Sequence, residues 1–173
     1  MVITVKYEND IKEYKYNSFD EINNYDKVVY ILCDFNQLIS LPKLPNSLQQ
    51  LYCQNNQLTS LPELPNSLKE LRCGYNQLTS LPELPNSLEE LYCTGNQLSL
   101  LPKLPNSLQE LYCYCNKLIS LPKFPNSFQY LYCSNNQLTI LPELPNSLIE
   151  LECGNNQFIK KLKYKYLIKF IYL

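Results

Sequence analysis

The amino-acid sequence predicts a β-rich solenoid, a stack of 20-residue units that each give one short parallel strand and return along an irregular, nearly helix-free path. Three observations predict it. The phrase LPELPNSLKELRCGYNQLTS recurs with few changes every 20 residues. Within a unit Leu71 and Cys73 alternate with Glu70, Arg72 and Gly74, the period-two pattern of a strand with one buried face. All 12 prolines fall two to a unit in six units, where they fix φ, remove N–H donors and favour an extended polyproline-like crossover over a helix.

Units begin at Val28, Leu48, Leu68, Leu88, Leu108, Phe128 and Leu148, and each reads LxxLxCxxNxLxxLPxLPNS or a close variant. The first eleven positions resemble the leucine-rich-repeat signature over residues 28–158, with Cys in place of the usual aliphatic at the sixth position. The 20-residue length and the LPxLPxxLxxL phrase are similar to the short repeats of secreted bacterial effectors, which also occur in giant viruses that infect amoebae. The Asn, Tyr, Lys and Ile bias without alanine suits an AT-rich genome such as a giant virus or protist. The resemblance implies a leucine-rich-repeat solenoid that binds proteins. Its effector ligases carry a large C-terminal ubiquitin-ligase domain with a catalytic cysteine, whereas only some 15 residues follow the last unit here, so ligase activity is not implied. Because a polyproline path is slimmer than a helix, the horseshoe is expected to curve gently.

Three segments follow. Residues 1–27 lack the repeat and read as an N-terminal cap. VITVKY and IKEYKY form a hairpin around Glu8-Asn9-Asp10, and the capping box Ser18-Phe19-Asp20-Glu21 starts a short helix near Phe19. Residues 28–159 hold the seven repeats. Residues 160–173 read as a C-terminal cap with an eighth strand, on which Ile168, Ile171 and Leu173 take the Leu, Leu and Cys positions. Five lysines between Lys160 and Lys169 suit protection of an exposed sheet edge better than contact with a membrane.

Inside the stack, Leu48, Leu51, Cys53, Leu58, Leu61 and Leu64 are expected to lie on their equivalents in the next unit, because no unit buries its apolar side alone. Asn36, Asn56, Asn76, Asn96, Asn116, Asn136 and Asn156 fall at the turn, where a buried amide bonds the backbone of its own and adjacent turns.

The chemistry argues against an enzyme. The chain has no histidine, and its repeats show no acid–base pair, phosphate loop or metal cluster; no cofactor is expected. Seven of the eight cysteines stand one per repeat: Cys33, Cys53, Cys73, Cys93, Cys113, Cys133 and Cys153. Stacked sulfurs about 4.8 Å apart cannot wrap one zinc ion, and no secretion signal supplies an oxidising compartment. They read as buried thiols, with no metal. Cys115, two residues beyond Cys113, reads as exposed. A net charge of −1 gives no field to hold nucleic acid. Without a signal peptide or an apolar stretch of membrane-spanning length, the chain is expected to be soluble and cytoplasmic, in the host cytoplasm if viral.

Binding information belongs on the concave face. The fifth position reads Leu32, Tyr52, Arg72, Tyr92, Tyr112, Tyr132, Glu152 and Tyr172, an aromatic stripe. The third reads Tyr30, Gln50, Glu70, Glu90, Glu110, Tyr130, Glu150 and Phe170, an acidic column. Recent duplication alone would produce such columns. Read functionally, Tyr52, Arg72, Tyr92, Tyr112 and Tyr132 with Glu70, Glu90 and Glu110 form a surface for a basic, partly apolar protein or peptide. A structural component that assembles through its open C-terminal edge and basic tail is the alternative.

Overall fold

The computed structural model describes residues 1–158 and the strand at 171–172. In each repeat the leucines at the first and fourth positions and the cysteine at the sixth turn inward, so the backbone between them extends as a three-residue strand. These are β4 (Gln50–Tyr52), β5 (Glu70–Arg72), β6 (Glu90–Tyr92), β7 (Glu110–Tyr112), β8 (Tyr130–Tyr132) and β9 (Glu150–Glu152). β3 (Val28–Leu32) precedes them and β10 (Ile171–Tyr172) follows. All are parallel, and each register advances by one repeat: Leu51 lies beside Leu71, Leu71 beside Leu91 and Leu91 beside Leu111. The result is a leucine-rich-repeat solenoid, and the described residues contain no α-helix.

The return path is built from turns. At the end of each proline pair the Leu48 N–H donates to the Pro45 carbonyl at 3.1 Å, and the same bond recurs one repeat on from Leu68 to Pro65 at 3.0 Å and from Leu88 to Pro85 at 3.1 Å. Stacked leucines and cysteines form one continuous core, with Leu48, Leu51, Cys53 and Leu58 fully buried and Leu61 nearly so.

Two polar ladders stitch neighbouring repeats. Asn96 donates to the Cys73 and Cys93 carbonyls at 3.1 Å and accepts from the Leu78 N–H at 3.0 Å, which satisfies backbone groups of its own and the preceding turn. The first of these asparagines, Asn36, has no preceding repeat; its amide bonds the Val2 N–H and carbonyl instead. The second ladder is serine: Ser67 donates toward the Leu48 carbonyl at 2.6 Å, and Ser87 toward that of Leu68 at 2.6 Å. The eighth position of every unit is left-handed, with φ of 56° at Phe35, 53° at Asn55 and Tyr75, 64° at Gly95 and 55° at Cys115. Asn and Gly take this conformation readily, whereas Phe, Tyr and Cys are strained in it.

At the N-terminus, β1 (Ile3–Tyr7) and β2 (Tyr14–Tyr16) are antiparallel neighbours, and β1 also runs antiparallel to β3, with Lys6 opposite Tyr30. One 3-10 turn, Phe19–Glu21, stands where the sequence suggested a capped helix. Ser18 makes no side-chain cap, and the Glu21 carboxylate accepts from the Asn17 N–H at 2.9 Å and not from that of Ser18, so neither bond of the capping box forms. Ile22 closes the turn in extended backbone, which stops the helix from propagating. β10 lies beside β9 with Ile171 opposite Leu151 and Tyr172 opposite Glu152. The expectations for Ile168, Phe170, Leu173 and the lysines from 160 to 169 fall outside the described residues.

Candidate binding face

Side chains at the third and fifth positions leave the sheet on the side opposite the core. A strict 20-residue repeat sets equivalent side chains about 4.8 Å apart, close to the spacing of stacked aromatic rings. Tyr92 and Tyr112 stack with centroids 4.3 Å apart and planes 10° from parallel; Tyr112 and Tyr132 follow at 4.4 Å and 9°. Arg72 continues the column between Tyr52 and Tyr92, its guanidinium carbon 4.8 and 4.4 Å from the two ring centres. Tyr52 meets Tyr30 edge-on at 5.3 Å, and Lys6 lies over Tyr30 at 4.9 Å. The stripe read from the sequence is therefore a half-buried stack that turns ring edges and hydroxyls outward, not a row of free ring faces.

The acidic column divides in two. Glu70 is 7% exposed. One of its oxygens accepts from the Gln50 amide and the Tyr52 hydroxyl, both at 2.8 Å; the other takes the Arg72 Nε–H at 2.6 Å. Its charge is spent on holding Arg72 in the stack. Glu90 and Glu110 are half-buried and converge on the Tyr92 hydroxyl, which lies 3.1 and 3.2 Å from them. Burial, then the negative charge of Glu70, pushes the Glu90 carboxyl upward, while the bond from Tyr92 opposes this. Burial first, and neighbouring carboxylates second, raise the phenols of Tyr52 and Tyr92. Burial also raises Tyr112 and Tyr132, the latter helped by its hydrogen bond with Glu150. These hydroxyls are protonated donors at neutral pH.

All eight residues singled out from the sequence share this face, in one cluster around Glu70 and another around Tyr92. Sequence reasoning passed over Lys6, which reaches the stack only because β1 docks antiparallel on β3, a pairing that no short-range pattern announces. Gln50 and Glu150 also join the network; the cue for Gln50 was its place beside Glu70, in the unit before the one arginine of the stripe.

Away from this face, the seven ladder cysteines are free and buried, and Cys115 is free and exposed. Among the described residues no three His, Cys, Asp or Glu side chains stand together as a metal site. No helix there is long and apolar enough to cross a membrane.

Two stretches match family models: residues 66–106 match Leucine Rich repeats (2 copies), and residues 127–148 match Leucine Rich Repeat. Among solved structures, YopM from Yersinia enterocolitica WA-314 is 43% identical with a TM-score of 0.72, over 73% of this chain and 28% of that one. A Shigella effector LRR domain is 34% identical with a TM-score of 0.67, over 75% of this chain and 70% of that domain. YopM from Yersinia pestis, described as a leucine-rich effector protein, is 36% identical with a TM-score of 0.64, over 74% of this chain and 43% of that one. No curated protein matches the sequence. This chain belongs to the leucine-rich-repeat family, in the short class of 20-residue repeats found in those effectors. It spans less than half the length of either YopM chain. Its fold is one associated with protein–protein interaction, and scaffolds of this family are generally non-catalytic.

Proposed function

We propose that the chain is a non-catalytic scaffold whose concave face takes a basic, partly apolar segment of a protein partner. Tyr92, Tyr112 and Tyr132 make the apolar floor, Tyr52 and Arg72 extend it, Glu90 and Glu110 attract the partner's cations, and Glu70 fixes Arg72. By likeness to the effectors, the partner is a host protein and the working compartment the host cytoplasm.

The observation that carries this reading is the unbroken stack from Tyr52 to Tyr132 beside half-buried carboxylates. Rings already immobilised by one another lose little freedom when a partner arrives, and tyrosine combines contact area with a hydroxyl donor. A partner lysine or arginine would meet Glu90 and Glu110 at the stack's flank, where partial burial weakens screening by salt.

Capture from host-cell lysate tests it. A variant with Tyr92→Ala, Tyr112→Ala and Tyr132→Ala is compared with wild type and with an Asn86→Ala, Asn106→Ala control on the opposite surface. The reading predicts partners retained by wild type and control and lost by the tyrosine variant; the same specific partners on all three would overturn it.

A further inference from the structure

The convex surface carries a charge pattern with its own consequence. Between the two prolines of each return path, the leucines turn into the core and the residue after the first proline turns out. That residue is Lys43, Glu63, Glu83, Lys103, Lys123 and Glu143 in successive repeats, all six exposed. None forms an ion pair among the described residues. The signs run plus, minus, minus, plus, plus, minus. Read backwards, every sign inverts.

A column that inverts on reversal is complementary to itself when two copies meet antiparallel, and repulsive when they meet parallel. We infer that this convex column is a self-association surface whose occupant is a second copy of the chain, related by a twofold axis that crosses the solenoid between Glu83 and Lys103. Lys43 then faces Glu143 of the copy, Glu63 faces Lys123, and Glu83 faces Lys103. A twofold pairing makes each contact twice, as a closed isologous interface requires.

Further features agree. Within one chain Glu63 and Glu83 stand on adjacent repeats, as do Lys103 and Lys123, so like charges neighbour each other and repel. Antiparallel pairing sets the acidic couple against the basic couple and removes both repulsions. The axis also passes through an open groove of about 340 Å³ between the two central repeats, lined by Leu84, Pro102 and Pro105 beside Glu83 and Lys103. At the ends, the units that would face each other carry exposed isoleucines a few residues before the charged one in sequence, Ile39 at 72% and Ile140 at 69%. The flanking column of Asn46, Asn66, Asn86, Asn106, Asn126 and Asn146 is exposed and meets its own copy, and an amide donates as well as accepts. This surface lies opposite the concave face, so paired copies keep both concave faces open.

Exposed ion pairs orient an association more than they strengthen it, so the pair should be weak and sensitive to salt. The test is sedimentation velocity on the full chain from micromolar to submillimolar concentration, at low and high salt. Three samples accompany wild type: Lys103→Glu with Lys123→Glu, Glu63→Lys with Glu83→Lys, and an equimolar mixture of these two variants. Each variant turns four of the six facing contacts repulsive when paired with itself, whereas the mixture restores all six. Far-UV circular dichroism and a thermal melt confirm that each variant is folded, as substitutions at exposed positions should allow. Expected are wild-type dimers that weaken at least about tenfold in high salt, no dimers of either variant alone, and heterodimers in the mixture. A monomeric wild type, self-association that persists in both variants, or a mixture that stays monomeric would each overturn the assignment.

Discussion

Alkali should unfold this chain through its thiols. Cys33, Cys53, Cys73, Cys93, Cys113, Cys133 and Cys153 are each 1% exposed or less. Burial raises every one of them, to about 12 for Cys33 and Cys73 and about 11 for Cys153, and upward for the other four. An unfolded thiol titrates near 8.5, roughly. Between those values the folded chain keeps a proton that the unfolded chain has released. Stability is therefore full below about pH 8.5 and falls as pH rises toward the folded-state value. Going from about pH 7.5 to about pH 9.5 removes roughly 1 kcal/mol per thiol, and several kcal/mol for the whole ladder. That is a large share of the roughly 5–15 kcal/mol that holds an ordinary domain together. Urea titrations followed by far-UV circular dichroism, with reductant present, should show the midpoint collapsing over this interval. Cys93→Val should lessen the fall by about one seventh. A midpoint that stays constant from about pH 7.5 to about pH 9.5 would refute the claim that the thiols are buried and protonated together.

Two substitutions probe the ladders. Asn96→Ala leaves the Leu78 N–H without a partner and takes one of two amide donors from each of the Cys73 and Cys93 carbonyls, which keep Asn76 and Asn116; it should cost about 1–3 kcal/mol in a urea titration, the cost of one orphaned buried group. Gly95→Ala places a methyl 2.7 Å from the Tyr75 ring at a residue with φ of 64°. It should cost about 1–3 kcal/mol, of which Tyr75→Asn, introduced alongside, should recover the steric part.

Most of the repeating structure was legible because one short pattern determines it. Leu and Cys two residues apart define the strand, the proline pair rules out a helix, and the stack follows because a single unit has nowhere else to bury its leucines. The asparagine ladder was legible for the same reason, since an amide at a turn has both donor and acceptor to share. The serine ladder was not: Ser67 and Ser87 read as ordinary turn residues, and their bonds to Leu48 and Leu68 exist only once the preceding unit is in place. The left-handed eighth position was likewise hidden by Phe35, Tyr75 and Cys115, residues that rarely signal it, although Asn and Gly elsewhere in the column do.

The face was legible as two columns, but not as a network. Nothing in the spacing told Glu70 from Glu90, and the difference is made by neighbours: Gln50 and Arg72 reach Glu70 and draw it into burial. The capping box at Ser18 failed for a local reason, because Ile22 turns extended before a second helical turn can form. Lys6 joined the stack through a docking of β1 on β3 that only the folded sheet specifies.

Photocrosslinking from defined positions tests most directly where a partner sits. The chain is prepared with p-benzoylphenylalanine in place of Tyr112, on the concave stack, or in place of Asn86, on the convex surface, and each is irradiated in host-cell lysate. The account predicts a discrete crosslinked host protein from position 112 that is absent from position 86 and displaced by excess wild-type chain. A competable crosslink to a host protein from position 86, with none from position 112, would contradict it.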